Sequence, residues 1–373
     1  MVKGASGKSA APASSVKLQD VADRCGVSII TVSRALHNDP RVRQVTKERV
    51  RAAAHEVGYH IQSNAAARQL IMKRHGGKHI NHLIALLVPP NFHHVNYFMH
   101  MFKGILDILS TKGYGLICCY PPDIIETDLP SPMLRDEIDG VILPGTVKGT
   151  SGVLEYLRAQ PTFHAKPVVS LMKPLDDAGF IGSDGFSGAY QVGTHLLALG
   201  HRHLIHYYVD VSYEQAERLA GLRAAFAEYG LDPDTHLHLA SRYSDPGMPE
   251  DISKEERVGT ILNALRAIPH ATAIITRSDF HAATIWNTLV SEGVRIPEDL
   301  SIVGYNDTDP FCDVAGQNLL TSVSVPLIDI GRLAAEMIVG LIAGNAVDYR
   351  QRVLPVELVA RASTAPPRNL RRG

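Results

Sequence analysis

The chain is poor in cysteine: four thiols in 373 residues, two of them adjacent at Cys118 and Cys119. With no CxxC pair and no spaced ladder of cysteines, a disulfide framework is excluded and a reducing cytoplasm is the expected compartment. No run of about 18 apolar residues is present to cross a bilayer, so no membrane partner is expected. The opening segment MVKGASGKSAAPASS lacks the apolar core of a secretory signal. Small and polar, it reads as a disordered tail over residues 1–15. Catalytic signatures are missing too, since GxSxG, HExxH and phosphate-loop patterns do not occur. Several histidines lie close in sequence: His93 with His94, His201 and His203 around Arg202, and His75, His79 and His82. None joins a cysteine or carboxylate at zinc spacing. No enzyme activity, cofactor or metal is therefore expected.

Net charge looks absent as well, at -1 for the whole chain, which is 45% hydrophobic and 20% charged. Division at residue 80 changes that picture. Residues 1–80 carry 14 lysines and arginines against 5 aspartates and glutamates, whereas the remainder carries 23 against 33. A basic head on an acidic body is the asymmetry expected when one end meets a polyanion, and nucleic acid leads that class. A merely solvated basic terminus is the bland rival. The length calls for two or three structural units.

The most informative stretch of the head is VKLQDVADRCGVSIITVSRALHNDP. Leu18, Val21 and Ala22 share a helical face, Cys25 continues it, and Gly26 is free to take the positive φ that closes a helix. Ser28 suits the N-cap of a second helix from Ile29 to about His37, with Val32 and Leu36 inward and Asn38, Asp39 and Pro40 as its stop. Two short helices joined by a glycine turn are a helix-turn-helix, whose second helix enters the major groove. Ile29 and Ile30 are apolar where a solvent-facing residue belongs, which suits thymine methyls, while Arg34 can reach a guanine edge. Ser28, Thr31 and Ser33 can donate to phosphates. The competing reading is a helical hairpin whose isoleucines are core. A third helix in VTKERVRAAAHEVGYH, with Val50, Ala53, Ala54 and Val57 on one face and Lys47, Arg49 and Arg51 elsewhere, completes a three-helix basic domain.

From residue 80 onward short apolar runs alternate with amphipathic helices: HLIALLV, FMHMFKGILDILSTKG, YGLICCY and DGVILPG, then HLIHYYV, AIITR and LSIVGYND. Such repetition builds parallel sheets covered by helices, and two α/β lobes with a cleft between them is the simplest assembly. Ligands of such sheets bind beyond the carboxyl ends of the strands.

The head pattern DVADRCGVSIITVSRAL, followed by RV, T, RV, A and GY, resembles the DNA-binding head of the LacI/GalR family of bacterial transcription regulators. The likeness continues through KPVVSL, HLLALGHRHLIHY, ERLAGLRAAFAEYG, LTSVSVPLIDIGRLAAEMIV and LPVELVARAST, and covers about Val16 to Thr364. It implies an N-terminal all-α helix-turn-helix head plus an α/β two-lobed, periplasmic-binding-protein-like body with parallel sheets, the chain crossing between lobes three times. The implied boundaries are 16–62 for the head, 63–79 for a hinge helix and linker, 80–178 plus 310–341 for the first lobe, 179–309 plus 342–364 for the second, and 365–373 for a tail. That tail, APPRNLRRG, lies within the last residues of the chain and carries no heptad repeat.

The same likeness implies a homodimeric repressor on double-stranded, palindromic operator DNA, controlled by a small-molecule effector of the sugar or sugar-derivative class. NAAARQL matches the hinge, making Leu70 a minor-groove wedge supported by Ala66, Ala67 and Arg68; from the residues alone Leu70 is an ordinary linker leucine. Arg218 aligns with an effector-binding arginine, against the alternative of an ion pair with Glu214 or Glu217. Phe92, Tyr97 and Tyr243 fall at aromatic pocket positions and Asp279 at a further cleft position, while Asp184, opening the segment after the fourth strand of the first lobe, is a weaker candidate whose alternative is a structural role. Asn306 replaces a usual aspartate, Ser278 a usual asparagine and Met172 a common acid, which points to an effector other than a plain hexose. Lys17 and Arg43 replace capping residues before the first and third helices, each costing about 1 kcal/mol while offering a charge to phosphate. A soluble small-molecule carrier or sensor with degenerate DNA binding is the alternative those losses suggest.

Overall fold

The structure, a computed structural model, describes residues 17–36, 39, 41–57, 59, 80–88, 95–119, 133, 136–145, 150–208, 212–240, 254–345 and 351–368. It divides into two compact units, Met1–His79 and Ile80–Gly373. The expected N-terminal tail, the hinge segment and the last five residues of the expected C-terminal tail lie outside the described residues, together with Arg68, Leu70, Phe92 and Tyr243.

The head holds α1 (Leu18–Cys25), α2 (Ile29–Leu36) and α3 (Gln44–Glu56). Gly26 ends α1 at φ 66°, its N–H donating to the carbonyl of Ala22. That left-handed conformation strains any residue with a β-carbon, which is why glycine makes the turn. Ser28 then caps α2, its Oγ accepting the Thr31 N–H at 3.2 Å. Neither Lys17 nor Arg43 caps its helix through a side chain. Asp20 compensates at α1, accepting the Lys17 backbone N–H at 2.6 Å, which supplies half of a capping box. Val21, Ala22, Val32, Ala35, Val50, Ala53, Ala54 and Tyr59 form the core. Apart from Tyr59, which follows α3, these are alanines and valines drawn from all three helices, so the isoleucines of α2 are not needed to fill it.

The body contains two six-stranded sheets. In the first, the order is β11 (Gln351–Leu354), β5 (Gly179–Ser183), β4 (Val168–Leu171), β3 (Gly140–Pro144), β1 (Leu83–Leu87) and β2 (Gly115–Cys119). The second runs β12 (Glu357–Val359), β10 (Thr321–Ser324), β9 (Ser301–Asn306), β8 (Ala273–Ile275), β6 (Leu204–Tyr207) and β7 (Leu237–Ala240). All neighbours are parallel except β10 and β12. Strands β1, β3 and β4 are almost wholly buried, the continuous apolar pattern of a sheet covered on both faces.

Helices α4 (Val95–Lys112) and α11 (Leu327–Ile342) pair over the first sheet, and α6 (Gly185–Ala198) and α7 (Tyr213–Glu228) pair over the second. Helix α5 (Thr150–Ala159) belongs to the first lobe; α8 (Pro233–His236), α9 (Lys254–Ala267) and α10 (Asp279–Ser291) belong to the second. Glycine sets how closely each helix pair approaches. A β-carbon on Gly104 of α4 would stand 2.0 Å from the Ile328 carbonyl oxygen, and one on Gly331 of α11 would stand 2.1 Å from that of Met101. In the other lobe, Gly221 of α7 meets the Phe186 carbonyl of α6 in the same way, at 2.1 Å.

The chain passes between the lobes at Asp184, at Val325–Pro326 and at Pro355–Val356. The first and third passages lie side by side, with the Asp184 N–H donating to the Leu354 carbonyl at 2.9 Å. The lobe boundaries differ from the expected ones. Strands β5 and β11 belong to the first sheet, and β10 to the second. A short apolar strand carries no local sign of which sheet it will join, because pairing is decided by distant partners.

Replacing Gly331 by alanine should lower the stability of the body by about 1–3 kcal/mol, since the clashing atom is backbone and cannot rotate away. Gly259→Ala is the control: it lies in α9 with nothing within 4 Å of the new β-carbon, and it should stabilise by about 0.5–1 kcal/mol. Denaturant unfolding of both variants checks the contrast.

Candidate nucleic-acid interface and interlobe cleft

The outward face of α2 is unusual in chemistry. Ile29 and Ile30 are 43% and 64% exposed although the core beneath them is closed. Arg34 stands one turn beyond Ile30 and is exposed, as are Ser28 and Arg43; Thr31 and Ser33 are half-buried. Apolar tips beside a guanidinium fit a groove floor of thymine methyls and guanine acceptors. Ser28 Oγ and Thr31 Oγ1 also lie 2.9 Å apart, so the residues expected to meet phosphate are held at the start of the helix. Lys47 differs from expectation. It is only 8% exposed, because it lies three and seven residues before Val50 and Ala54 on the buried face of α3, and it is not displayed like Arg43, Arg49 and Arg51. Val45, 77% exposed at the start of α3, is an outward apolar residue that periodicity did not single out.

In the body the central feature is Arg218 of α7, 5% exposed. Its guanidinium carbon lies 3.4 Å from the centroid of the Tyr305 ring, Nη1 donates to the Arg277 carbonyl at 2.9 Å, and Nη2 is 3.6 Å from Glu214. The ion pair with Glu214 at helical spacing is therefore present, but it is buried and not on the surface. Nε remains buried with no partner among the described residues, and the same holds for the hydroxyls of Tyr97 and Tyr305, Nδ1 of His206, Oε1 of Gln215 and Oδ1 of Asn306. Buried polar atoms are nearly always paired, so this much idle hydrogen-bonding capacity marks a place built to receive polar groups.

Tyr97 comes from α4 of the first lobe and the others come from the second. Burial raises the Tyr97 hydroxyl well above its usual range, aided by Glu214 and opposed by Arg218. Burial, with the charge of Arg218 beside it, lowers His206 to about 4, so this imidazole is neutral at physiological pH. His206 and Gln215 were missed from the sequence. In HLIHYY the histidine sits in an apolar strand and reads as core, and Gln215 carries no motif.

Four expected cleft residues have other work. Asp184 caps α6, accepting the Ser187 N–H at 2.8 Å. Met172, at φ 63°, is buried in the core shared by both lobes and donates its N–H to the Ile181 carbonyl. The Ser278 hydroxyl pairs with Nδ1 of His281 at 2.8 Å. Asp279, 1% exposed, accepts from Ser322 Oγ at 2.5 Å and from the Thr308 N–H at 2.8 Å. It is pressed under β9 so closely that Gly304 has no room for a β-carbon. Asn306, by contrast, ends β9 at φ 95° with its amide oxygen unpaired. A cavity of about 270 Å³ beside the second passage is lined by His100, Asn306, Asp307, Thr308 and Ser324 to Asp329. A second, of about 450 Å³ and almost wholly apolar, opens between α4 and the carboxyl ends of β1 and β3. Neither includes Arg218. Across the junction, Asn96 donates to Asp309 at 2.5 Å.

A three-helix head that turns one helix outward, carried on a two-lobed α/β body with polar groups between its lobes, defines a ligand-responsive DNA-binding regulator. Comparison with known proteins agrees. Residues 17–62 match the family of bacterial regulatory proteins, lacI family, and residues 194–364 match the periplasmic binding protein-like domain. The chain belongs to the LacI family. Among curated relatives, the HTH-type transcriptional regulator DegA of Bacillus subtilis is 29% identical over 94% of this chain and 98% of its own length. The HTH-type transcriptional repressor CytR of Escherichia coli is 27% identical over 93% and 96%. A lac repressor dimer bound to operator and the anti-inducer ONPF superposes with a TM-score of 0.70 at 22% identity, covering 94% of this chain and all of that one. A LacI family regulator from Enterococcus faecium with bound ribose does so at 0.63 and 25% identity, over 76% of this chain and 99% of that one. Among the described residues no helix is long and apolar enough to cross a membrane.

The Asp279 carboxyl makes a checkable difference to stability. Burial raises it from an ordinary 3.8 to about 7. Between those two values the unfolded chain releases this proton while the folded chain keeps it, so stability falls as pH rises through the window and levels above it. Asp279→Asn removes the ionisation, and its stability relative to the wild type should therefore climb from pH 4 to pH 7. A difference that stayed constant across that range would show that the carboxyl is not protonated in the fold.

Proposed function

We propose that the protein is a sequence-specific repressor that binds a palindromic operator as a homodimer and answers to a small-molecule effector held between its lobes. The observation that carries this reading is the exposed Ile29, Ile30 and Arg34 face of α2 above a closed core. Two such faces related by two-fold symmetry meet successive major grooves, one helical turn apart. Ser28, Thr31, Ser33 and Arg43 position the helix on phosphates, with Arg68 and Leu70 at the minor groove between half-sites. The cytoplasm is the compartment where such a protein works, and its role is regulatory rather than catalytic.

The effector class follows from the groups on offer. Arg218 presents an unused Nε, and the Tyr97 and Tyr305 hydroxyls and Asn306 Oδ1 supply both donors and acceptors. Together with the buried guanidinium these groups suit a hydroxyl-rich molecule, a sugar or sugar derivative, or one bearing a carboxylate. Groups from both lobes take part, so binding changes the equilibrium between lobe arrangements and through it the affinity for DNA.

Selection of binding sites from random duplexes tests the reading. Wild-type protein should enrich a palindrome. Arg34→Ala and Ile30→Ala should each blur particular positions in it, costing about 1–3 kcal/mol of discrimination. Arg43→Ala should weaken binding to every sequence and reduce the salt slope by about 1, whereas Lys47→Ala should act through the stability of the head. DNA binding with no enriched motif, carried by charge alone, would favour a carrier or sensor with degenerate DNA recognition.

A further inference from the structure

The second lobe gathers histidines at the end of its sheet remote from the cleft. His203 immediately precedes β6, His238 is the second residue of β7, and His270 lies in the turn before β8. Strands β7, β6 and β8 are neighbours in the sheet, so residues far apart in the chain meet at its amino-terminal edge. One ring nitrogen from each of the three lies within 4.8 Å of the others. Nδ1 of His203 is 3.2 Å from Nε2 of His238, and the His270 ring stands at 86° to that of His203 with centroids 4.2 Å apart.

We propose that His203, His238 and His270 form a binding site for a late first-row transition-metal dication, of which zinc is the type. Four ligands at zinc–nitrogen distances of 2.0–2.1 Å leave about 3.3 Å between neighbouring nitrogens, and the His203–His238 pair is already at that separation. A hydrogen bond between those two rings accounts for one contact only. It does not account for a third imidazole arriving edge-on from the turn before β8. Three imidazoles with no carboxylate select zinc, cobalt, nickel or copper and disfavour calcium and magnesium, which require oxygen. His236 stacks on His203 at 4.9 Å, but its Nδ1 faces the Asp232 carbonyl at 2.9 Å and it stands outside the converging trio. A water molecule completes the tetrahedron.

His238 lies within the sheet, and His203 and His270 stand one and three residues before strands. The His203 carbonyl accepts the Thr272 N–H at 3.1 Å, and the register Leu204–Leu237 and Leu204–Ala273 fixes where the three strands begin relative to one another. His203 and His238 are half-buried and His270 is exposed, so an ion has a path in from solvent. Burial and the neighbouring imidazoles favour the neutral form of His203 and His238, the form that ligates metals. An ion here ties three strand ends together and stiffens the second lobe without entering the cleft. This inference stands on the fold of that lobe and is independent of how the head reads DNA.

The test uses the untagged, full-length protein, stripped with a chelator and titrated with cobalt(II) and zinc(II). One ion should bind per chain at this site, with the visible spectrum of tetrahedral cobalt. Zinc should raise the thermal midpoint. His238→Ala and His270→Gln should each weaken binding by about 100-fold, at or above the range for losing an outer-shell partner, and abolish the zinc-dependent rise. The triple variant His75→Ala, His79→Ala, His82→Ala should leave both unchanged. His270→Gln changes an exposed side chain, and a metal-free midpoint equal to that of the wild type shows that it folds. Failure of the wild type to bind either ion, or equal binding by His270→Gln and the wild type, would overturn the proposal.

Discussion

A guanidinium sealed at the junction of two lobes is the constraint on which the body depends. Withdrawing the Arg218 charge from water costs several kcal/mol unless its surroundings restore what hydration supplied. The restoration here is incomplete: one carbonyl, a carboxylate at 3.6 Å and the face of Tyr305, with Nε left over. Cation–π contact and a distant carboxylate offset part of the cost. The remainder is a differential that a ligand can exploit, because a polar group placed against Nε gains an interaction in a dry environment where it is strong. A site fully satisfied by protein groups would have no such reserve.

That reserve lies where the backbone is itself under tension. Asn306 and Asp307 are consecutive residues at φ 95° and 55°, a conformation that residues with a β-carbon avoid and that asparagine and aspartate tolerate best. Asp307 is held there by Arg361 through two contacts, at 2.8 and 2.9 Å, and the Asn306 carbonyl accepts the Val325 N–H just where the chain leaves for the first lobe. Strain, a spare polar atom and a passage between lobes thus coincide in one short stretch. Such positions persist only where the surrounding structure over-determines them, and they concentrate at sites that bind or switch.

The head was legible in the sequence because its signals are local. A glycine at Gly26, a hydroxyl at Ser28 and two isoleucines out of phase with the core act within a turn or two of their own position. Lys47 escaped that reading although its spacing to Val50 and Ala54 puts it on the buried face of α3, because a lysine is read by its charge as a surface residue. The strands were legible for the same local reason, but their division between sheets was not, since β5, β10 and β11 are assigned by partners far away in the chain. The cleft was half legible. Arg218 stood out through family likeness, whereas Asp279 and Ser278 held familiar positions while their side chains were turned to internal hydrogen bonds. The histidine trio shows the limit most plainly: positions 203, 238 and 270 have no short-range spacing, and only adjacency of three strands brings them together.

The two units face opposite energetic problems. The body closes its helix pairs through glycines that leave carbonyls within reach of no larger residue, so each pair has little slack where its two helices cross. The head gives up ordinary side-chain caps at Lys17 and Arg43, each worth about 1 kcal/mol, in a core made of only a few small residues. Both substitutions place a cation at a helix N-terminus, where the helix dipole opposes it in isolation and a phosphate would reverse the balance. On the proposed mode of binding, operator phosphates at the two helix starts favour the folded head over its alternatives through ordinary linkage.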